Sequence, residues 1–498
     1  MSAITFELDG APVRAENVDP NTTLLHWLRA NAKTGTKEGC AEGECGACAI
    51  AWRANGPDGS ARWEVVNSCL VLMPSVHGRE LLTSEGLASR AEGTLHPVQR
   101  CLADGGGSQC GYCTPGFVVS LFGEMYRARE GAFDPESIAG NLCRCTGYRP
   151  IREAAEKLAV IRDKSRGAPD PFRDRLATPV APLEASEHTI TIGETTRSFA
   201  RPSTLLDAVA ILAREPSRTI VNGGTDVTVE VNQRHKRHDG YLSLEGVREL
   251  GQFEDRDDAL VIGAGISLAQ IEERLHVHAH GPTALGRALP MLGELLPLFS
   301  SRLIRTRATF GGNLGTASPI GDGPPALLAL DAELVLASHD ANTNAITRRI
   351  VPLSTYFLGY RKTARAPHEL IEAVRIPKPY ASLQRFYKVS KRRLDDISSV
   401  AGAFAIDRGP DGRVTRARLA FGGVAAVPLR LTEIEQRLLG TRLAASEIEP
   451  LAIAASQLVT PIDDHRASAR YRKAMVVSLL RKLAFDTTSP SASHGVSP

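Results

Sequence analysis

Gly39-Cys40-Ala41-Glu42-Gly43-Glu44-Cys45-Gly46-Ala47-Cys48, followed at a distance by Cys69, is the stretch around which this 498-residue chain is organised. A C-x4-C-x2-C triplet with a fourth cysteine further on is the spacing of plant-type [2Fe-2S] centres. Four thiolates have to converge on two irons, so a compact loop carries three of them and a returning segment brings the fourth. Gly39, Gly43 and Gly46 let that loop curl and aim backbone N–H groups at anionic sulfur. The stretch reads as an electron carrier.

Two other readings of the cysteines fit less well. Zinc takes paired C-x2-C knuckles, and a triplet in a glycine-rich loop is poor spacing for them. Disulfides need an exported chain, and Met1-Ser2-Ala3-Ile4-Thr5-Phe6 has neither a basic start nor a long apolar run.

A second group follows: Gln109-Cys110-Gly111-Tyr112-Cys113-Thr114-Pro115-Gly116, then Asn141-Leu142-Cys143-Arg144-Cys145-Thr146-Gly147-Tyr148. The C-x-C pair is too tight to close on itself as a disulfide, and its side chains diverge unless a cluster sits at the fork. Two clusters in series make a wire. Of the 9 cysteines, Cys101 is left over; on a helical face with Leu95 and Val98 it reads as a small buried hydrophobe.

The length calls for several domains. A net charge of +3 gives no reason to expect a nucleic-acid partner, and no apolar run reaches the length of a membrane span. Thiolate ligands and reduced cysteines fit a cytoplasmic setting.

Outward from the first loop, Ile4, Phe6 and Leu8 alternate toward a hairpin signal at Asp9-Gly10, with a short strand around Val13. Asn21 is predicted to cap a helix carrying Leu24, Leu25, Trp27 and Leu28, and strands are predicted at 47–53 and 62–67. From about residue 86 apolar residues recur at helical spacing, and Pro115, Pro135 and Pro150 sit where helices would begin, with Asp134 as a cap. Positive helix N-termini there would stabilise a cluster's negative charge. Residues 164–190 are proline-rich and aperiodic, a linker wrapped over the surface.

The next segment carries three glycine turns: Asn222-Gly223-Gly224-Thr225-Asp226 after the strand-like Thr219-Ile220-Val221, then Gly263-Ala264-Gly265, then Thr309-Phe310-Gly311-Gly312-Asn313-Leu314-Gly315. Such turns present backbone N–H groups to a pyrophosphate, although each alone reads equally as a plain turn. No complete G-x-G-x-x-G opens a helix, so the site is not of Rossmann type. Strands are expected at 400–404 and 417–424, helices around 431–440, 446–457 and 464–483, and a polar tail from Asp486. His276-Val277-His278-Ala279-His280 lacks a further ligand nearby and reads as a surface loop.

Both cysteine motifs, in this order, resemble the iron-sulfur part of the molybdenum hydroxylases, the family of xanthine dehydrogenase, aldehyde oxidase and carbon monoxide dehydrogenase. Phe299-Ser300-Ser301-Arg302-Leu303-Ile304-Arg305-Thr306-Arg307-Ala308-Thr309-Phe310-Gly311-Gly312-Asn313 and Thr316-Ala317-Ser318-Pro319-Ile320-Gly321-Asp322 resemble its FAD domain. The resemblance implies a multidomain α+β chain. Residues 1–85 would be a plant-type ferredoxin (β-grasp) domain, 86–163 a helical [2Fe-2S] bundle, and 164–190 a linker. Residues 191–380 would be a non-Rossmann FAD-binding α+β domain, 381–485 a C-terminal α+β flavoprotein domain, and 486–498 a disordered tail.

By position, the resemblance makes Cys40, Cys45, Cys48 and Cys69 the ligands of one cluster. Cys110, Cys113, Cys143 and Cys145 become those of a second, nearer the molybdenum. It implies FAD held by Val221, Asn222, Gly223, Gly224, Thr225 and Asp226, with Thr309, Gly312, Asn313, Ser318, Asp322 and Lys388 also around the cofactor. Phe299 would stack near the adenine and Ile371 pack against the isoalloxazine. Asp322 is left between accepting from a ribitol hydroxyl and orienting the flavin edge. Lys388, Arg393 and Asp395, in the run Lys391-Arg392-Arg393-Leu394-Asp395-Asp396 or just before it, are candidates for controlling what approaches the flavin, although such a run reads equally as a solvated loop.

The chain has no room for a molybdopterin domain, so the resemblance implies a separate large molybdopterin-binding subunit, in a heterotetramer with two copies of each chain and with Gln109 near the pterin. The implied activity is that of a xanthine dehydrogenase small subunit. Electrons from hypoxanthine and xanthine would pass through two clusters to FAD and on to NAD+. The alternatives are a hydroxylase of aldehydes or other N-heterocycles, an oxidase reducing oxygen, or a zinc scaffold without flavin.

Overall fold

The computed structural model describes residues 3–88, 93–127, 131–165, 167–277 and 281–488. Asp9 (φ 53°) and Gly10 (φ 80°) form the tight turn between strands Ile4–Leu8 and Ala11–Ala15, which pair antiparallel with Ile4 opposite Ala15. Left-handed φ at both turn residues matches the twist of the flanking strands. These strands edge a five-stranded sheet that continues through Glu80–Leu82, Ala49–Asn55 and Ala61–Asn67. The third strand starts at Ala49 rather than residue 47, because Ala47 and Cys48 still belong to the cysteine loop.

Helix Leu24–Ala30 buries Leu24, Leu25 and Leu28 on this sheet. Its cap is Thr23, whose Oγ1 accepts from the His26 amide at 3.3 Å, and not Asn21. Asn21 is buried and turned across a domain boundary. Its Oδ1 accepts from the His238 amide at 2.9 Å and the Tyr241 hydroxyl at 2.8 Å, and its Nδ2 donates to the His238 carbonyl at 3.0 Å.

Helices Pro97–Asp104, Thr114–Met125 and Arg149–Lys164, with the 3-10 turn Pro135–Ile138, close on a core that includes Val98, Leu102, Phe117, Phe122, Ile151 and Leu158. Each of Pro115, Pro135 and Pro150 lies in a first turn, where its missing N–H leaves no bond unmade. Asp134 caps its turn by accepting from the Glu136 amide at 3.0 Å. Leu95 precedes its helix and is 47% exposed, so Cys101 is only half-buried and shares no helical face with it.

The stretch 167–185 lies against the first domain. Trp63 Nε1 donates to the Phe172 carbonyl at 3.1 Å, and Asn55 exchanges bonds of 2.7 and 2.8 Å with Val180. A new sheet begins at Ser186, inside the span expected to be linker: Ser186–Ile192, Thr195–Arg201, Gly240–Ser243 and Thr219–Val221, in that order. A five-stranded sheet follows, ordered Phe253–Asp255, Ala259–Gly263, Leu370–Pro377, Glu333–Asp340, Ala345–Pro352.

The last sheet, Leu383–Val389, Val400–Arg408, Val414–Gly422 and Leu429–Arg430, is covered by helices Thr432–Leu438, Ala445–Leu458 and Ala469–Thr488. That helix starts later than residue 464, because Asp463 and Asp464 shape a loop before it, and it runs through Asp486, which accepts from the Tyr387 hydroxyl at 2.7 Å. Thr487 and Thr488, expected in the tail, end that helix, and residues 489–498 lie outside the described residues, as do His278 and His280; His276–Val277 pairs with Gly281–Pro282.

The chain is thus multidomain α+β. One apolar cluster runs across its middle, joining Cys48, Cys69 and Leu70 to Ile304, Ala308 and Phe310.

Candidate functional site

The first cysteine loop turns on left-handed residues, Gly43 at φ 88° and Gly46 at φ 63°. Its four sulfurs gather as two pairs, Cys40 with Cys45 and Cys48 with Cys69, each pair within hydrogen-bonding reach. The Cys40 thiol is pulled down to about 5, chiefly by the Cys45 thiol and, against burial, by the amides of Glu42, Cys45 and Glu44. The Glu42 amide points at Cys40 Sγ from 3.5 Å. Such a nest of N–H groups suits sulfur that carries negative charge.

The second group pairs likewise, Cys110 with Cys145 and Cys113 with Cys143. Cys113 sits at the N-cap of Thr114–Met125, at the positive end of the helix. Cys143 Sγ lies 3.1 Å from Thr146 Oγ1, and the Cys143 amide donates to the Tyr148 hydroxyl at 2.9 Å. Cys110 and Cys145 are exposed, on a face shared with Gln109, Tyr112, Leu142 and Arg144. Among the described residues no three His, Cys, Asp or Glu side chains are grouped to hold one metal ion. Four thiols gathered in each group are a donor set that fits a [2Fe-2S] cluster.

The two loops touch through backbone. The Leu142 amide donates to the Cys45 carbonyl at 3.0 Å, and Asn141 Nδ2 donates to the Gly46 carbonyl at 3.2 Å. A Cβ on Gly46 would come within 2.4 Å of Asn141 Nδ2 and the Gly140 carbonyl, so only glycine allows this approach.

Beyond the first loop opens a cleft of about 610 Å³. Val221, Asn222, Gly224, Thr225 and Asp226 line it together with Thr309, Gly312, Asn313, Ser318 and Asp322, and Phe299 and Ile371 also face it. Thr309 accepts from the Gly312 amide at 2.9 Å and so starts the short helix Phe310–Gly315. Asn313 lines the cleft, and its Oδ1 is buried without a partner. Gly223 does not line it; its carbonyl accepts from Arg307 Nε at 3.3 Å behind the turn. A long cleft with glycine-turn amides, an orphaned amide oxygen and apolar side chains fits a dinucleotide such as FAD.

Asp322 is buried with both oxygens engaged, one by Lys388 Nζ at 2.8 Å and one by Ser398 Oγ at 2.5 Å. Lys388, whose side chain is 2% exposed, is therefore an internal cation behind the wall and not an open gatekeeper. Asp395 is buried too, accepts from Ser300 Oγ at 3.1 Å, and is pushed up to about 6 by burial. Arg393 is exposed and does not line the cleft; Asp396 and Ile397 do. Sequence reasoning missed those two, and also Arg361, Arg365 and Ile304. Arg361 stands in the Phe357–Thr363 segment, where a cation at a hairpin tip was the available signal.

Ile304 links cleft and loop. It lines the cleft, and a Cβ on Gly43 would meet its Cδ1 at 2.8 Å. Helix Val227–Gln233, which follows the Asn222–Asp226 turn, is bonded to the same loop: Asn232 Nδ2 donates to the carbonyls of Ala41 and Cys69 at 2.8 Å, and Gln233 Nε2 to that of Cys40 at 2.7 Å.

Four family profiles match the chain. They are described as a 2Fe-2S iron-sulfur cluster binding domain (residues 6–73), a [2Fe-2S] binding domain (83–156), an FAD binding domain in molybdopterin dehydrogenase (194–379) and a CO dehydrogenase flavoprotein C-terminal domain (385–486). The chain is 32% identical over 491 residues to xanthine dehydrogenase of Emericella nidulans, across 88% of this chain and 35% of that protein. It is 32% identical over 539 residues to xanthine dehydrogenase of Drosophila subobscura, across 99% of this chain and 40% of that protein. The chain thus spans 35 to 40% of the length of these relatives. A carbon monoxide dehydrogenase from Hydrogenophaga pseudoflava shares the fold at TM-score 0.52 and 24% identity, over 58% of this chain and 96% of that one.

Proposed function

The chain belongs, by its four-domain architecture, to the molybdenum hydroxylase family, and we propose that it is the electron-transfer part of a xanthine dehydrogenase, working with a large molybdopterin-binding subunit. The observation that carries this reading is the unbroken run of contacts from the exposed Cys110 and Cys145, through the Leu142–Cys45 hydrogen bond, to Ile304 in the cleft wall. Bound in these places, two [2Fe-2S] clusters carry electrons singly and FAD collects two for delivery as hydride.

Cys40, Cys45, Cys48 and Cys69 would hold the cluster beside the cleft, and Cys110, Cys113, Cys143 and Cys145 the one at the surface. Val221 to Asp226, Thr309, Gly312, Asn313 and Ser318 would hold FAD. The Lys388 ammonium is matched by the Asp322 carboxylate, which lines the cleft, so the pair would hold that part of the wall in place without adding net charge to it. Exposure of Tyr112 and Leu142 beside Cys145 supports a partner on that face, and the proposed assembly has two copies of each chain. Among the described residues no helix is long and apolar enough to cross a membrane, and thiolate ligands favour the proposed cytoplasmic setting.

Iron, sulfide and flavin analysis of the chain made with iron and flavin available tests the cofactor set: about four irons per FAD are expected from two such clusters. Zinc without flavin would overturn it. Xanthine as substrate is supported by the names of the relatives, and NAD+ as acceptor is our reading from the family resemblance. Turnover of aldehydes but not hypoxanthine by the assembled enzyme would favour the sister hydroxylases. Failure to reduce NAD+ without oxygen would favour an oxidase.

A further inference from the structure

The turn between strand Thr219–Val221 and helix Val227–Gln233 is built on two adjacent glycines in the left-handed region, Gly223 at φ 79° and Gly224 at φ 75°. A Cβ on Gly223 would come within 1.9 Å of the Arg307 carbonyl, and one on Gly224 within 2.7 Å of the Leu70 carbonyl. A peptide flanked by two glycines rotates at little steric cost. Its direction is therefore set from outside the turn.

Arg307 supplies the outside contact. Its Nε donates to the Gly223 carbonyl at 3.3 Å, on the side away from the cleft, and Arg307 itself does not line the cleft. The Gly223–Gly224 peptide is trans, so its carbonyl and its N–H point in opposite directions. The Gly224 N–H is thereby turned away from Arg307, toward the cleft that Gly224 lines. Reversed, the same peptide would present the Gly223 carbonyl there, an acceptor facing the acceptor oxygens of a phosphate.

The guanidinium is held on its other side by the first domain. Arg307 Nη2 donates to Glu245 at 2.5 Å, and Arg79 Nη2 donates to the second oxygen of the same carboxylate at 2.7 Å. Both guanidinium groups lie over the Trp52 ring, 4.8 and 4.2 Å from its centre, and Trp52 is 1% exposed. Burial opposes charge on Glu245, but Arg307 and Arg79 hold its carboxyl down at about 2, so the network stays ionised at neutral pH. A guanidinium fixed in this way loses little freedom in making one further hydrogen bond.

Resting on the FAD reading above, we propose that Arg307 is a positioning residue for the cofactor's diphosphate. It latches the Gly223–Gly224 peptide with its N–H toward the cleft, and Trp52, Arg79 and Glu245 hold the latch.

The test measures FAD and riboflavin binding to the cluster-loaded, flavin-stripped chain in the parent, Arg307→Lys and Arg307→Met, beside the unfolding midpoint of each. Arg307→Lys keeps a cation for Glu245, but a single ammonium drawn to a carboxylate leaves the Gly223 carbonyl unheld. Its FAD dissociation constant should rise about tenfold, the scale of one hydrogen bond, with a midpoint near the parent's. Arg307→Met should lose as much FAD affinity and also unfold earlier, because Glu245 keeps only Arg79. Riboflavin, which has no diphosphate, should bind all three alike. Parent-like FAD binding in Arg307→Lys, or a proportional loss that riboflavin shares, overturns the latch while the FAD reading stands. A parent chain that binds no FAD overturns the FAD reading and the latch with it.

Discussion

The backbone amide of Leu142 donates a 3.0 Å hydrogen bond to the carbonyl of Cys45. Leu142 directly precedes Cys143 and Cys45 belongs to the first quartet, so one peptide contact joins the two sulfur groups. The joint is rigid because Gly46 allows the Gly140–Asn141 backbone to lie directly against it.

Gly46→Ala tests that joint. The residue sits at φ 63°, and its Cβ would be 2.4 Å from the Gly140 carbonyl. Left-handed strain and overpacking together should cost about 3 kcal/mol. A lowered unfolding midpoint is expected, with slowed electron transfer between the clusters by freeze-quench EPR. A midpoint within error of the parent would show that the loops separate freely.

Cys113→Ser removes a ligand from the proposed surface cluster and leaves the cleft untouched. Purine-driven NAD+ reduction by the assembled enzyme should fall to background while FAD stays bound in stoichiometric amount. Undiminished turnover in a variant shown to lack that cluster would refute the assigned route.

Lys388→Met strands the buried Asp322 carboxylate with Ser398 alone. Breaking a buried pair from one side costs about 3–5 kcal/mol. Lys388→Met/Asp322→Leu should regain much of that stability and still lose FAD, because Asp322 lines the cleft. Thermal unfolding and flavin retention on gel filtration read the two effects separately.

Asp395 predicts a pH dependence of definite sign. Burial raises its folded pKa from 3.8 to about 6, so the folded protein binds this proton more tightly than the unfolded chain. The contribution is fully present below pH 3.8 and is lost as pH rises from there through about 6. At neutral pH the buried charge costs up to about 3 kcal/mol. Asp395→Asn should therefore stabilise the protein at pH 7.5 and lose that advantage toward pH 4.5, measured as paired unfolding midpoints.

The cysteine loops were legible because their spacing is local: ten residues from Gly39 to Cys48 specify three of four sulfurs and the turns between them. The cleft walls were legible through a resemblance, and individual glycine turns would not have sufficed. What escaped was set by contacts between distant residues. Asn21 looks like a helix cap until His238 and Tyr241, more than 200 positions away, take its side chain. Lys388 looks like part of a solvated basic run until Asp322 draws it inside.

The most direct test of the relay is an anaerobic NADH titration of the loaded chain, followed by visible absorption and low-temperature EPR. The account predicts flavin bleaching with the appearance of two distinguishable reduced [2Fe-2S] signals, since NADH electrons would run back from FAD into both quartets. A colourless protein holding zinc, or a flavin that bleaches with no EPR signal from either quartet, would contradict it.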